Sequence, residues 1–381
     1  MRFPEFSWEW EKCSIQDYGE VVTGNTPPTS HAEYYENGSY LWASPADLGI
    51  NKNITETKTK LSLSGFKKTR NIPKGSVLVT CIGSTIGKMG MATETMSSNQ
   101  QINSIVVNDK SNSDFVYYAI CRAFPRYLSE VGVQAVPILS KSNFEKLPNY
   151  TTCRDEQDKI GYFLNLLDER IATQNKIIKK YESLIKGISN LLLYETEGKS
   201  VCLGDILIER SERTQTNNQY DVLSSTVKGI FSQREYFSKD IASENNVGYK
   251  IIRLHDIVLS PQNLWMGNIN YNDKFDIGIV SPSYKIFSIG EGYDKRFVAA
   301  MLKTHRALYN YILVSEQGAS IVRRNLNMEA FSQLVFKLPT FDKQRKIGYA
   351  ISSLKSQLEA ANKIVRAYIS QKQYLLRQMF I

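Results

Sequence analysis

The apolar positions of this chain fall into their longest regular pattern twice. From Asp155 to Leu193, steps of four and three residues meet Ile160, Leu164, Leu167, Ile171, Gln174, Ile178, Tyr181, Ile185, Ile188 and Leu192. From Asp342 to Phe380 the same walk meets Ile347, Ile351, Leu354, Leu358, Ala361, Val365, Tyr368, Lys372, Leu375 and Met379. Alternating spacings of four and three keep one stripe of a helix turned toward one partner, the period of a coiled coil. Neither stretch contains proline. Each seam spans about 33 residues, or roughly 50 Å at ~1.5 Å per residue. Thr152 and Asp155 at the first run, and Asp342 at the second, carry the short oxygen-bearing side chains expected at helix starts.

The two stretches are copies. At a fixed offset of 187 residues they share twelve identities in 39 aligned positions. Asp155, Gln157, Lys159, Ile160, Gly161 and Tyr162 match Asp342, Gln344, Lys346, Ile347, Gly348 and Tyr349. Further on, Leu167, Asn175, Lys176, Ile177, Tyr181 and Ser183 match Leu354, Asn362, Lys363, Ile364, Tyr368 and Ser370. A period near half the chain length means two units, each ending in the same element. Gln174 and Ala361 lie at the two helix centres, which meet in an antiparallel pair, and one polar core residue can set register. Lys372, near the end of its helix, is expected to carry its ammonium to water.

The segments between read as mixed α/β. Residues 1–150 hold short β-type runs at Tyr18–Thr23, Val77–Ile82 and Asn103–Val107, each followed by turn residues, and a helical stretch at Asp114–Leu128. Residues 196–340 repeat the plan faintly. Leu203-Gly-Asp205 echoes Ile15-Gln-Asp17, Ile257–Ser260 echoes Val77–Thr80, and Asp294–Val314 stands where Asp114–Leu128 stood. The organisation expected is a globular head at 1–150, a coiled-coil helix at 151–195, a second head at 196–340 and a second helix at 341–381.

Composition narrows the chemistry. The net charge of +9 favours an anionic partner, nucleic acid first. Residues 342–381 carry eight Lys or Arg against two acids. Five scattered cysteines without a C-x-x-C pair, and only three histidines, give no zinc set. They suit a reducing cytoplasm. No apolar run is long enough to span a membrane, and the first residues lack the core of a signal peptide.

Three motifs imitate catalytic ones. Gly83-Ser-Thr-Ile-Gly87-Lys88 is one residue short of a phosphate loop, and Met89 stands where the magnesium-binding hydroxyl belongs. Ser281-Pro-Ser-Tyr284 resembles an amino-methyltransferase tetrad, but no glycine loop for S-adenosylmethionine accompanies it. Asp47 with Glu56-Thr-Lys58 has nuclease-like spacing without the Pro-Asp start. No catalytic residue and no metal site is expected. The remaining candidates are polar and basic loop residues suited to base edges and phosphates. In the first head they are Lys67, Lys68, Arg70, Ser84, Thr85, Lys88, Asn99, Gln100 and Gln101. In the second they are Gln262, Asn263, Trp265, Gln317, Ser320, Arg323, Arg324 and Asn325.

These residues carry a resemblance. The opening Arg2-Phe-Pro-Glu-Phe6 with Trp8 and Trp10, the pair Ile82–Gly87 and Ser98–Asn103, the run Gly278–Pro282, and Lys-Leu-Pro ahead of each Asp-x-Gln-x-Lys-Ile helix resemble the specificity subunit of Type I restriction–modification enzymes. Pro148 precedes Gln157 by nine residues and Pro339 precedes Gln344 by five, so an extra turn is expected before the first helix. The resemblance implies two target-recognition heads, each reading half of a split double-stranded DNA sequence. It implies antiparallel helices that close a pseudo-twofold ring, set the spacer and dock two methyltransferase subunits, with restriction–translocase subunits able to join. S-adenosylmethionine would sit on the methyltransferases, and this chain would bind no cofactor. A stand-alone two-headed DNA-binding protein, and a subunit of a Type IIB-like system, are the alternatives.

Overall fold

The computed structural model describes residues 2–49, 51–130, 137–194, 198–233, 245–317 and 324–380. The chain is mixed α/β and forms two compact units, Met1–Lys176 with Asn362–Ile381, and Ile177–Ala361. The two long helices run Arg154–Tyr194 and Phe341–Met379. The division falls near the middle of both, so each unit takes half of each helix.

In the first unit a five-stranded sheet has the order Gly19–Thr23, Ile102–Val107, Val77–Thr80, Met89–Ala92, Asn53–Ile54. All neighbours are antiparallel except the last pair. In the second unit a four-stranded antiparallel sheet has the order Leu207–Arg210, Lys285–Ile289, Ile257–Leu259, Ile269–Tyr271. The first four strands of one sheet thus correspond in order to the four of the other. A second correspondence lies at the ends of each head. Glu11–Ser14 pairs with Pro148–Thr151, and Lys199–Cys202 pairs with Val335–Leu338. The short helices Ile15–Asp17 and Leu203–Ile206 follow, and the amides of Ile15 and Leu203 donate to Leu147 and Leu334. Little sequence similarity is visible between the heads because central strands buried on both faces, such as Val77–Thr80 and Ile257–Leu259, ask only for small and apolar residues and not for particular ones.

The offset of 187 residues holds through this frame: Pro148–Thr151 maps onto Val335–Leu338 and Arg154 onto Phe341. The expected extra turn is absent. Pro148 opens its strand, whereas Pro339 follows its strand, so the prolines differ in place and the backbone does not. Two further expectations change. Asp155 and Asp342 lie inside the first turns, where they complement the helix dipole. The stretch expected as one helix at Asp294–Val314 breaks into Lys295–Met301 and His305–Leu313, because the Thr304 hydroxyl accepts from Ala307 N and caps a new helix.

Among the seam residues whose side chains are described, none is exposed. Ile160, Leu164, Leu167, Ile347, Ile351, Ala361 and Val365 are buried, while Ile171, Gln174, Ile178, Tyr181, Ile185, Leu354, Leu358 and Tyr368 are half-buried. Within the first unit, Ile160 and Leu164 share a core with Leu375, Met379 and Phe115. Higher up the first helix, Asp168 accepts from Lys372 Nζ at 2.6 Å. The helices therefore run antiparallel there. Phe380 packs on Trp10 and Phe115, with centroids 5.7 and 5.4 Å away, so the last helix ends on the first head as expected. Within the second unit, Ile188 packs against the core that holds Ile347 and Ile351. Lys372 does not reach for water as the sequence suggested. Its pairing with Asp168 leaves both side chains less than a fifth exposed.

The repeat identities explain how each helix is fastened. The Gln157 side-chain amide donates to Thr152 O at 2.8 Å and accepts from Asn112 N at 2.9 Å. Gln344 donates to Pro339 O at 2.9 Å and accepts from Asp294 N at 3.1 Å. Asn112 and Asp294 in turn cap the head helices through Phe115 N and Phe297 N. Gly161 and Gly348 let the long helices lie against these caps. An added Cβ would come within 2.7 Å of Asn112 Oδ1 in the first copy, and within 2.6 Å of Phe297 N in the second.

Candidate nucleic-acid interface

In each head the polar loops grow from the same places on the repeated sheet. The turn between Val77–Thr80 and Met89–Ala92 carries Ser84, Thr85 and Lys88. Its counterpart between Ile257–Leu259 and Ile269–Tyr271 carries Gln262, Asn263 and Trp265. Sequence spacing alone does not align these loops, since neither the lengths nor the residues agree.

The turn that imitates a phosphate loop is closed on itself. Gly83 and Gly87 adopt φ of 95° and 89°, the left-handed region that suits glycine. The amides of Gly83, Ile86, Gly87 and Lys88 donate to Pro137, Gly83, Thr80 and Thr85 carbonyls. Those N–H groups are thus occupied and do not form a phosphate cradle. Ser84 and Lys88 are exposed beside them. The other imitations are likewise engaged. Asp47 accepts from Ser44 N and Lys58 N, and Tyr284 OH donates to Ser225 O. Among the described residues no group of His, Cys, Asp and Glu is placed to hold a metal.

Asn25 anchors the Lys67–Arg70 candidates of the first head. Its amide donates to Lys68 O at 2.9 Å, its side-chain oxygen accepts from Arg70 N at 2.8 Å, and its carbonyl accepts from Trp42 Nε1. Arg70 Nη1 donates to Thr23 O at 2.7 Å. Next along the chain, Thr26 Oγ1 donates to Gln100 Oε1 at 2.5 Å. Lys67, Lys68, Arg70 and Gln100 are exposed around this knot. Asn99 differs: it is buried, and both ends of its amide bond to Gln101, so it shapes the turn. Gln101 is half-buried and reaches Ile82 O. In the sequence Asn25 and Thr26 read as turn residues. An Asn inside a Gly-Asn-Thr-Pro-Pro turn was the available signal.

In the second head Arg324 comes from 62 positions further along the chain to join the Gln262 loop. Arg324 N donates to Gln262 O at 3.2 Å, and its guanidinium lies 4.5 Å from the Trp265 ring centre. Stacking on an aromatic face fixes the fork of an arginine before any ligand arrives. Asn325 is exposed on the hairpin formed by Ser315–Gln317 and Arg324–Leu326. Asn263 caps the short helix Leu264–Met266 without a side-chain bond. Ser320 and Arg323 lie outside the described residues, and only the backbone of Gln317 is described. Ser281 and Ser283, within the motif that imitates a methyltransferase tetrad, precede the strand Lys285–Ile289 as Ser98–Gln101 precede Ile102–Val107.

The long helices present a second duplicated surface. Tyr162 and Tyr349, matched in the repeat, are both 65% exposed, and the matched Ile177 and Ile364 are 37% and 43% exposed. Lys176, Lys180 and Arg366 are exposed as well.

Residues 8–183 match the family model of the Type I restriction modification DNA specificity domain. Over 151 residues, 38% of this chain, the protein is 30% identical to the Type I restriction enzyme HindI specificity subunit of Haemophilus influenzae. Over 187 residues, 45% of the chain, it is 30% identical to the Type I restriction enzyme MjaIX specificity subunit of Methanocaldococcus jannaschii. The matches span 32% and 41% of those relatives' lengths. The solved S subunit of a Type I restriction–modification system from M. genitalium superimposes with a TM-score of 0.65 over 98% of this chain and 96% of its own, at 15% identity. A structure from a study of complex assembly and conformational transition in the type I R-M system gives a TM-score of 0.51 over 97% of each chain, at 11% identity. The fold is therefore that of a Type I restriction–modification S subunit. The likeness to the Type I specificity-subunit family rests on residues 8–183, a little under half of the chain, and the matches span less than half the length of those curated relatives. No helix among the described residues is long and apolar enough to cross a membrane.

Proposed function

We propose that this chain is the DNA-reading, non-catalytic subunit of a Type I restriction–modification complex. Each head reads one half of a bipartite double-stranded target. The observation that carries this reading is the pairing of one repeated sheet with two unlike sets of exposed polar loops at matched positions. A common frame with different tips suits two half-sequences of different composition. The net charge of +9 supplies the attraction to phosphate.

The long helices carry the second part of the proposal. Identical exposed residues at Tyr162 and Tyr349, and at Ile177 and Ile364, suit two copies of one partner, and methyltransferase subunits holding S-adenosylmethionine are that partner. Restriction–translocase subunits join through them. Reading, spacing and docking then belong to this chain, and methyl transfer belongs to its companions, which places it in the cytoplasm with the host DNA.

The test is methylome sequencing of a host that carries this chain with its methyltransferase, beside a host carrying the methyltransferase alone. A gapped two-part adenine motif that depends on this chain is expected. Tight, specific DNA binding by the isolated chain, with no motif added in the host, would replace the proposal by a stand-alone regulator.

A further inference from the structure

The first unit contains a cavity of about 220 Å³ between the helix Ser113–Glu130 and the strand Pro148–Thr151. Arg122, Arg126, Asn149 and Tyr150 line it, with the rings of Trp10 and Phe380. Neither the DNA-reading loops nor the exposed helix faces involve it.

Its polar lining is one-sided. Arg122 Nε and Asn149 Nδ2 are buried and without a hydrogen-bond partner. Asn149 is only 6% exposed, and its Oδ1 already accepts from Tyr150 N at 2.9 Å, so its amide is oriented with the N–H groups left over. Arg126 spends one nitrogen on Pro148 O and stacks its guanidinium 5.6 Å from the Tyr127 centroid. Among the described residues neither arginine pairs with a carboxylate, and no acid lines the cavity. Buried donors left unpaired are costly, and although Arg122 is half-buried and Arg126 exposed, their charge meets no opposing group in the lining. The remaining wall is apolar, with Trp10 and Phe380 packed edge to face at 86°. The cavity has room for several water-sized groups, more than a bare inorganic ion would fill.

We propose that this cavity binds a small organic oxyanion, a carboxylate or phosphate monoester carried on an aromatic body. The oxygens accept from Arg122 and Asn149, with Arg126 adding charge, and the ring lies against Trp10 and Phe380.

The test titrates the full chain with phenyl phosphate, and separately with inorganic phosphate. It follows the thermal midpoint and the Nε–H signal of Arg122 by NMR. A ligand that binds only the folded state raises the midpoint. The wild type should show a saturable rise with phenyl phosphate, a weaker one with inorganic phosphate, and a shifted Arg122 signal. Asn149→Asp supplies an internal acceptor, so it should raise the midpoint without ligand and weaken the response at least tenfold. Arg122→Met should weaken the response similarly, and decides the matter alone if Asn149→Asp does not fold. No saturable rise, or an equal rise in the wild type and the folded variants, would overturn the site. Equal responses to the two phosphates would overturn the aromatic part of the assignment.

Discussion

Gly161 and Gly348 show what the repeat protects. In a helix interior, alanine normally gains about 0.5–1 kcal/mol over glycine. Here the methyl group would enter the cap of a neighbouring helix, and overpacking of that kind costs about 1–3 kcal/mol. Gly161→Ala and Gly348→Ala should therefore each lower stability in urea titrations, opposite in sign to helix propensity. An unchanged or higher midpoint would show that the cap yields. Glu156 gives a pH signature at the same scale. Burial opposes its ionisation, but hydrogen bonds from Arg2 at 2.7 Å and from Thr152 at 2.5 Å win, and its carboxyl is held below the usual range. A depressed carboxyl stabilises the fold above its unfolded value near ~4.3, and that stability disappears as pH falls through the folded value. Arg2→Gln should cost more at pH 7 than at pH 3, with the two stability curves converging in acid. A pH-independent difference would exclude the linkage. Arg324 belongs here too. If it reads a base, Arg324→Ala should weaken target binding by about 1–3 kcal/mol and relax one position, and if it touches phosphate the loss should be smaller with a shallower salt slope.

At the scale of elements, the first unit's helices are joined to their head by a polar chain. Lys52 Nζ donates to Asp114 at 2.5 Å and Asn165 at 2.7 Å, Tyr118 OH donates to Asp168 at 2.6 Å, and Lys372 donates to the same carboxylate. Burial lowers the Lys52 ammonium below its ordinary value. Breaking one member strands the others, so Asp168→Ala should cost about 2–4 kcal/mol, near the lower end for a buried pair because these side chains keep some solvent. Thermal midpoints of that variant and of Asp168→Ala/Lys372→Met measure it. A double variant no better than the single one would show that stranding Lys372 is not the main cost. The duplicated helix faces are a separate matter. Under the proposed function, Tyr162→Ser with Tyr349→Ser should reduce methyltransferase co-purification and leave the midpoint nearly unchanged, as should reversal of Lys176, Lys180 and Arg366. Full co-purification by both variants would move the docking surface elsewhere.

At the scale of the whole molecule, two helices of 41 and 39 residues derive from one duplicated segment. Under the proposed function their length sets the gap between the half-sites. Removing one heptad from each, about 10 Å at ~1.5 Å per residue, should shorten the preferred spacer by about 3 base pairs at ~3.4 Å each and leave the half-sequences unaltered. An unaltered spacer would refute this ruler.

The duplicated rods, their seams and the mixed heads were legible in the linear chain. Helical periodicity and repeat identities are local, and they are written in consecutive residues. The sequence also marked Gln157, Gln344 and the paired glycines as special without saying why. Tertiary structure alone decided that Asn25 gathers Lys68, Arg70 and the neighbouring Thr26–Gln100 contact, that Trp265 holds Arg324, and that Lys372 turns inward to Asp168. Each of these depends on strand order or helix pairing, which brings together residues far apart in the chain. A polar side chain looks the same in sequence whether solvent or a buried partner awaits it.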